Sequence, residues 1–211
     1  TAPDGVPLQE SGHAAPHRSN QPQATGNGVA VYGFAPGSED SPPSLTPERL
    51  IHIPLRRLMG DQIQHHGEFE LPKNEAIPAP AGLAVVPGKE ERLLVADEFS
   101  DDAALLDAAT GKLLTRFDLS AGPVIPSTYP VAVVVGRRGR RAWVSLWNGS
   151  AVAELDLRRG KVVQRLPRLP PTQNVDPSSH PVAMALSPDR RTLYVALANR
   201  DAVAAGRIPG H

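Results

Sequence analysis

The stretch that decides the fold is residues 130–169, PVAVVVGRRGRRAWVSLWNGSAVAELDLRRGKVVQRLPRL. It contains four short apolar runs, rich in valine, leucine and alanine, which are separated by turns that contain glycine. Apolar runs of this kind, bounded by turn-forming residues, are typical of β-strands. The strands are predicted at residues 131–135, 142–146, 151–157 and 162–166. The stretch therefore predicts a four-stranded antiparallel unit.

The same pattern occurs in two other places. Residues 80–119 read PAGLAVVPGKEERLLVADEFSDDAALLDAATGKLLTRFDL, and residues 181–205 read PVAMALSPDRRTLYVALANRDAVAA, which is an incomplete copy. Pro80, Pro130 and Pro181 begin the three copies at intervals of 50 and 51 residues. Asp107 and Asp156 each precede a Gly-Lys pair by four residues. A period of about 50 residues predicts a chain built from repeated β units.

The remaining segments lie before the first repeat and after the last. Residues 27–56 are predicted to form the last two strands of an earlier unit. A helix that begins at Thr46, with Pro47 in its first turn, is the alternative, but Pro54 would end it after about two turns. Residues 57–79 are predicted to be an insertion at the surface, residues 1–26 to be disordered because they are poor in apolar side chains, and residues 206–211 to be a tail.

Composition excludes several classes of function. The chain has 211 residues, with 22 Lys and Arg against 22 Asp and Glu, so its formal charge is zero. A neutral chain offers no global field for nucleic acid, and we expect no nucleic-acid partner. No apolar run reaches the roughly 18 residues that a membrane-spanning helix needs. The absence of cysteine excludes disulfides and cysteine-ligated zinc sites.

Four-stranded units of this length resemble the blades of a β-propeller. The second strands, Trp143-Val144-Ser145-Leu146 and Tyr194-Val195-Ala196-Leu197, are similar to the repeat named for a Tyr-Val-Thr-Asn motif, although the last two positions differ. The Asp-x-x-x-Gly-Lys turns match the same family of lactonase-like, seven-bladed propellers. The resemblance implies an all-β fold, a partial β-propeller of about three blades, at residues 80–120, 130–168 and 181–205.

A second resemblance concerns residues 29–37, VAVYGFAPG, and residues 45–55, LTPERLIHIPL. They are similar to bacterial exported proteins that join such a propeller to a C-terminal phosphoesterase of the alkaline phosphatase superfamily. This implies a periplasmic or extracellular location. A closed ring has about 4–8 blades, and seven blades of this length would need about 350 residues. We therefore expect a fragment, with the remaining blades or a C-terminal catalytic domain elsewhere.

Strand parity predicts where a ligand would bind. The connection that leads into the first strand of a unit and the turn after its second strand lie on the same rim of the ring. Ligands of propellers usually bind where such loops surround the channel. We therefore expect a protein or small-molecule ligand at this rim, with these candidate residues: Asp97, Glu98, Tyr129, Trp147, Asn148, His180, Asn199 and Arg200.

Other candidate sites are weaker. Asp97, Glu98, Asp101 and Asp102 could bind a divalent cation, but the equivalent turns of the next units lack these carboxylates, so we predict no metal and no cofactor. The adjacent histidines at 65 and 66 point apart in an extended chain, and the arginines at 137–141 lie in a solvated hairpin turn.

No nucleophile or phosphate-binding motif is evident. The sequence therefore favours a non-catalytic binding or scaffold module. The alternative is a lactonase-like hydrolase that works through a metal or a histidine on the channel rim.

Overall fold

The computed structural model describes residues 27–39, 41–64, 74–168 and 178–208. Every regular element in these ranges is a β-strand, and no helix that could cross a membrane is present in them. The expected disorder of residues 1–26 concerns a segment outside the described residues. In chain order the strands are β1 (Gly28–Ala35), β2 (Ser44–His52), β3 (Arg56–Arg57), β4 (Ile63–Gln64), β5 (Glu75–Ala76), β6 (Pro80–Val86), β7 (Arg92–Asp97), β8 (Asp102–Asp107), β9 (Leu113–Asp118), β10 (Val124–Ile125), β11 (Pro130–Val135), β12 (Arg141–Leu146), β13 (Ala151–Asp156), β14 (Lys161–Pro167), β15 (Pro181–Leu186), β16 (Thr192–Leu197) and β17 (Ala202–Arg207).

Each predicted repeat forms its own antiparallel sheet. Strands β6 to β9 make the first four-stranded sheet and β11 to β14 the second, each in sequence order. Strands β15 to β17 make a third sheet of three strands. In the second sheet the observed strands agree with the predicted ones to within one residue at each end. The expected repeated four-stranded unit is confirmed.

The hairpin β1–β2 decides between the strand and helix interpretations of residues 44–52. The two strands pair antiparallel, and their register shifts between Val31 and Tyr32, where Tyr32 faces Pro47. Proline has no amide hydrogen to donate, and an irregular position in a two-stranded pair accommodates it. The strand prediction is confirmed, and Pro47 lies within β2 and not in the first turn of a helix.

The sheets stack face to face around three buried clusters. One cluster joins the hairpin to the first sheet through Val29, Ile51 and Ile53. The second lies between the first and second sheets and includes Leu94 and Val144. The third lies between the second and third sheets and contains the side chains Trp143, Val152, Leu193, Val195, Leu197 and Ile208. This radial stacking makes the molecule a partial β-propeller, and the expected all-β class is confirmed.

The first strands of the three sheets are the innermost, because β11 contacts both β6 and β15. They are not the most buried strands, although they are apolar. Leu83 and Val85 of β6 are 53% and 57% exposed, whereas Leu94 and Val95 of β7 are fully buried. The described residues contain three sheets of three or four strands. Their inner strands border an open side, while the second and third strands of the first two are covered by neighbouring sheets.

The insertion is not a free surface loop in its described part. Strand β3 pairs antiparallel with β5, and β4 pairs parallel with β10. The Gln64 side chain donates to the Phe99 carbonyl at 2.9 Å and accepts from the Ile77 amide at 3.0 Å. These bonds hold the insertion against the first sheet, at the rim where the candidate residues lie.

Candidate functional site

The rim repeats the same backbone arrangement three times. The residue just before the first strand of each sheet, Ala79, Tyr129 or His180, has a positive φ of 54°, 51° or 47°. The carbonyl of this residue accepts a hydrogen bond from the turn after the second strand, at 2.9 Å from Glu98, 2.9 Å from Trp147 and 3.0 Å from Ala198. The predicted sharing of one rim by these two loops is therefore present in every sheet.

Three of the candidate side chains form an aromatic cluster at this rim. The Trp147 indole and the His180 imidazole are stacked, with ring centroids 3.8 Å apart and an interplanar angle of 18°. Tyr129 contacts Trp147 edge to face, with centroids 5.9 Å apart. All three are partly exposed. The cluster joins the loops of the second and third sheets at the rim and is partly accessible to solvent.

The other candidates surround this cluster or lie apart from it. Asn148 is exposed, and its side-chain amide donates to the Ser127 carbonyl at 2.9 Å. Asn199 and Arg200 occupy the equivalent turn of the third sheet, and Glu98 occupies that of the first.

Burial raises the pKa of Tyr129, and the negative charges of Asp101 and Glu98 raise it further. The phenol is therefore neutral at physiological pH.

Asp97 does not lie at the rim surface, because its side chain is fully buried between the hairpin and the first sheet. It faces Asp102 across the β7–β8 pair, and neither of its carboxyl oxygens has a hydrogen-bond partner. Burial, and then the charge of Asp102, raise the pKa of Asp97 well above its usual range, although Arg116 opposes this. Burial also raises the pKa of Asp102, against the effects of Arg116 and Ser100.

We expect Asp97→Leu to raise the free energy of unfolding at pH 7 by about 1–3 kcal/mol, since it removes an unsatisfied buried carboxyl. The equivalent positions of the other sheets are Leu146 and Leu197, which oppose Pro130 and Pro181 as Asp97 opposes Pro80.

The raised pKa of Asp97 means that the folded state favours the protonated acid. Wild-type stability should therefore fall as pH rises from 3.8 through the folded pKa.

Urea unfolding at several pH values gives the free energy of unfolding and tests this prediction. The stability difference between Asp97→Leu and the wild type should widen with rising pH. Asp61→Leu, which alters an exposed carboxylate, is the control and should show no such pH dependence. A variant less stable than the wild type at pH 7 would show that the charge of Asp97 is stabilised by its surroundings.

Sequence reasoning missed the role of Asp101, which holds the connection into the second sheet. Its buried carboxylate accepts five hydrogen bonds, from the amides of residues 127, 128 and 129 and from the hydroxyls of Ser127 and Thr128, at 2.5–3.0 Å. In the next repeat, Ser150 lies in the same position and bonds Ser178 and Ser179. The signal in the sequence was a Ser-Ser/Thr-aromatic-Pro stretch before each of these two sheets.

A second missed feature is a buried network of arginines. Arg116 pairs with Asp102 and donates to the Pro54 carbonyl. Arg56, which is 4% exposed, donates to the carbonyls of Ser100 and Asp101 and lies 2.8 Å from Asp118. Of the carboxylates that the sequence suggested for a cation, Asp102 pairs with Arg116 and Asp101 bonds residues 127–129. The described ranges contain no group of three or more His, Asp and Glu side chains that could hold a metal ion, and residues 65 and 66 lie outside them.

Comparison with known proteins shows the fold alone. No family model matches the chain, and no curated protein matches it. A 6-phosphogluconolactonase-like protein from Bacteroides fragilis is similar in structure, with a TM-score of 0.54 and 16% identity over 85% of this chain and 48% of that one. One from Bacteroides uniformis has a TM-score of 0.52 and 13% identity over 88% and 52%. A streptogramin B lyase has a TM-score of 0.47 and 16% identity over 67% and 44%.

The chain thus spans about half the length of these structures. The structural similarity establishes that the chain has a propeller-like architecture. At sequence identities this low, it does not show that the proteins share an activity.

Proposed function

We propose that this chain is a non-catalytic propeller module that binds a flat ligand, a sugar or an aromatic group, at the rim. The observation that carries the proposal is the stack of Trp147 on His180, with Tyr129 at its edge. Partly exposed aromatic rings offer a flat apolar surface, and the nearby side chains of Asn148 and Asn199 can supply hydrogen bonds to a polar ligand.

Fluorescence titration with a p-nitrophenyl glycoside tests this proposal, because the probe carries both a sugar and an aromatic ring. Of the two tryptophans, Trp143 is 1% exposed and Trp147 is partly exposed, so saturable quenching would report on Trp147. His180→Ala should weaken binding about threefold to tenfold, since it removes one stacked ring. Phe34→Ala, which removes an aromatic side chain that is 66% exposed, is the control and should leave binding unchanged. Quenching that does not saturate would contradict the proposal.

The alternative function is a lactonase-like hydrolase, with His180 as general base. The position of His180 at the rim, stacked on Trp147, favours it. A general base is normally oriented by a hydrogen-bond partner, and within the described residues no side chain bonds the imidazole. We expect no hydrolysis of glucono-δ-lactone or p-nitrophenyl phosphate above the buffer rate, with or without divalent cations. Turnover that His180→Ala abolishes would establish the hydrolase.

We further propose that the module works as part of a larger exported bacterial protein that contains more repeats of the Tyr-Val-Thr-Asn type and a phosphoesterase domain. The motifs at residues 29–37 and 45–55 support this by resemblance. The span of about half of each similar structure is consistent with a larger propeller. Mass spectrometry of the protein isolated from periplasmic and cytoplasmic fractions would test both its size and its location.

A further inference from the structure

The third sheet leaves open a face that is covered in the two sheets before it. Leu94 of β7 and Trp143 of β12 point towards the following sheet and are 0% and 1% exposed, whereas Tyr194, at the same position of β16, is 43% exposed. The neighbouring strands agree, because Ala103 and Val152 are fully buried while Val203 is 67% exposed. We call the surface formed by Tyr194, Ala196, Val203 and Ala205 the outward face of the third sheet.

The turn beside the outward face has a matching unused acceptor. Asp101, Ser150 and Asp201 occupy the same position in the three repeats and share a positive φ, of 52°, 47° and 46°. Asp101 and Ser150 are buried and bond the connection that leads into the following sheet. Asp201 is exposed and has no hydrogen-bond partner among the described residues. Asp201 thus has the same position and backbone conformation as Asp101 and Ser150, but no described loop is bonded to it.

The two loops that bond Asp101 and Ser150 indicate the sequence of a loop that could bond Asp201. Residues 127–130 are Ser-Thr-Tyr-Pro and residues 178–181 are Ser-Ser-His-Pro, and each supplies amide and hydroxyl groups to the acceptor of the preceding repeat. A second copy of this chain has no spare loop of this kind. Its two loops already bond Asp101 and Ser150, and the first sheet is preceded by residues 77–80, Ile-Pro-Ala-Pro.

We propose that the outward face of the third sheet binds a further four-stranded sheet of the same repeat, one that lies outside these 211 residues. Its leading loop has the form Ser-Ser/Thr-aromatic-Pro, and its hydroxyl and amide groups donate to the carboxylate of Asp201. Its second and third strands bury Tyr194 and Val203, as the second sheet buries Leu94 and Ala103. The interface continues the two already present in the molecule. The inference rests on the proposal that the chain works within a larger protein that contains more repeats, and it does not depend on the ligand proposed for the rim.

A tandem extension of the full chain tests this proposal. Asp156 and Arg207 are the last residues of equivalent strands, so a copy of residues 157–207 is placed directly after Arg207. The copy supplies the fourth strand of the third sheet and then, in register, the first three strands of the next one. The copy brings its own Ser-Ser-His-Pro loop to Asp201. The reference is a chain extended only by a copy of residues 157–168, which supplies the fourth strand of the third sheet without a further sheet. Amides of β16 and β17 should exchange hydrogen at least tenfold more slowly in the longer extension than in this reference, because the added sheet covers the outward face.

Two substitutions in the original third sheet show whether the designed contacts form. Asp201→Asn and Tyr194→Lys should each lower the Tm of the extended chain by about 2–4 °C and leave that of the 211-residue chain nearly unchanged. Asn tolerates positive φ, so Asp201→Asn removes an acceptor without straining the turn. The controls are Asp189→Asn, in an exposed turn, and Val163→Lys, at a side chain that is 46% exposed on β14; neither should distinguish the two chains.

Two outcomes would overturn the proposal. The first is that Asp201→Asn and Tyr194→Lys have equal effects in the extended and the 211-residue chains, or that hydrogen exchange in β16 and β17 is not slowed. The second is that the 211-residue chain is a dimer in sedimentation analysis and Tyr194→Lys makes it a monomer. In that case a second copy, and not a further repeat, would be the partner of the outward face.

Discussion

Asp101→Asn is expected to lower the free energy of unfolding by about 3 kcal/mol, because it removes half of a buried acceptor that serves five donors. The substitution keeps the side-chain shape, and asparagine tolerates the positive φ of 52° at this position. Whichever way the amide is oriented, its NH₂ group must face backbone N–H groups of residues 127–129. At least one of those donors is left unsatisfied in the interior.

Urea unfolding at neutral pH measures this loss, and Asp189→Asn is the matched control. Asp189 also accepts hydrogen bonds within its turn, from Ser187 and the Arg191 amide, but it is exposed to water. Water can replace a lost partner there, so we expect a change of less than about 1 kcal/mol. Equal losses in the two variants would mean that Asp101 is no more important than an ordinary turn residue, and the account of how adjacent sheets are joined would be wrong.

The strands could be predicted from sequence because their information is local. Apolar runs such as Val131–Val135 alternate with turns that contain glycine, and each run is short enough to be a strand and too short for a helix. The rim also followed from local information, since the parity of the strands decides which loops meet. The structure indeed brings Tyr129, Trp147 and His180 together.

What could not be predicted depends on contacts between distant segments. Asp97 resembled a solvated rim carboxylate, but the hairpin and the insertion cover the first sheet and bury it completely. No motif in the sequence marked Arg56, which lies under the turn at residues 100 and 101. The inner strands are apolar, yet their burial depends on how many neighbouring sheets surround them.

Arg56→Met is expected to destabilise the chain by about 3 kcal/mol. Methionine keeps much of the apolar stem but leaves the Ser100 carbonyl without its arginine donor, in a position that is 4% exposed. The Asp101 carbonyl keeps the Leu119 amide as a donor, and Asp118 loses its ion pair. Arg57→Met is a matched control, since the neighbouring arginine is exposed and should change the free energy of unfolding by less than about 0.5 kcal/mol. Urea unfolding of both variants at pH 7 gives the comparison.

The same variant should also change the acid sensitivity of the protein through Asp118. Partial burial acts to raise the pKa of Asp118, but hydrogen bonds from Ser120 and the charge of Arg56 outweigh it, and the net effect lowers the pKa. A lowered folded-state pKa contributes stability that is present above the ordinary value of 3.8 and is lost as pH falls through the folded value. Without Arg56 this contribution is smaller, so the stability of Arg56→Met should decline less between pH 5 and pH 2 than that of the wild type. A parallel decline in the two proteins would show that Arg56 acts only through the backbone carbonyls that it bonds.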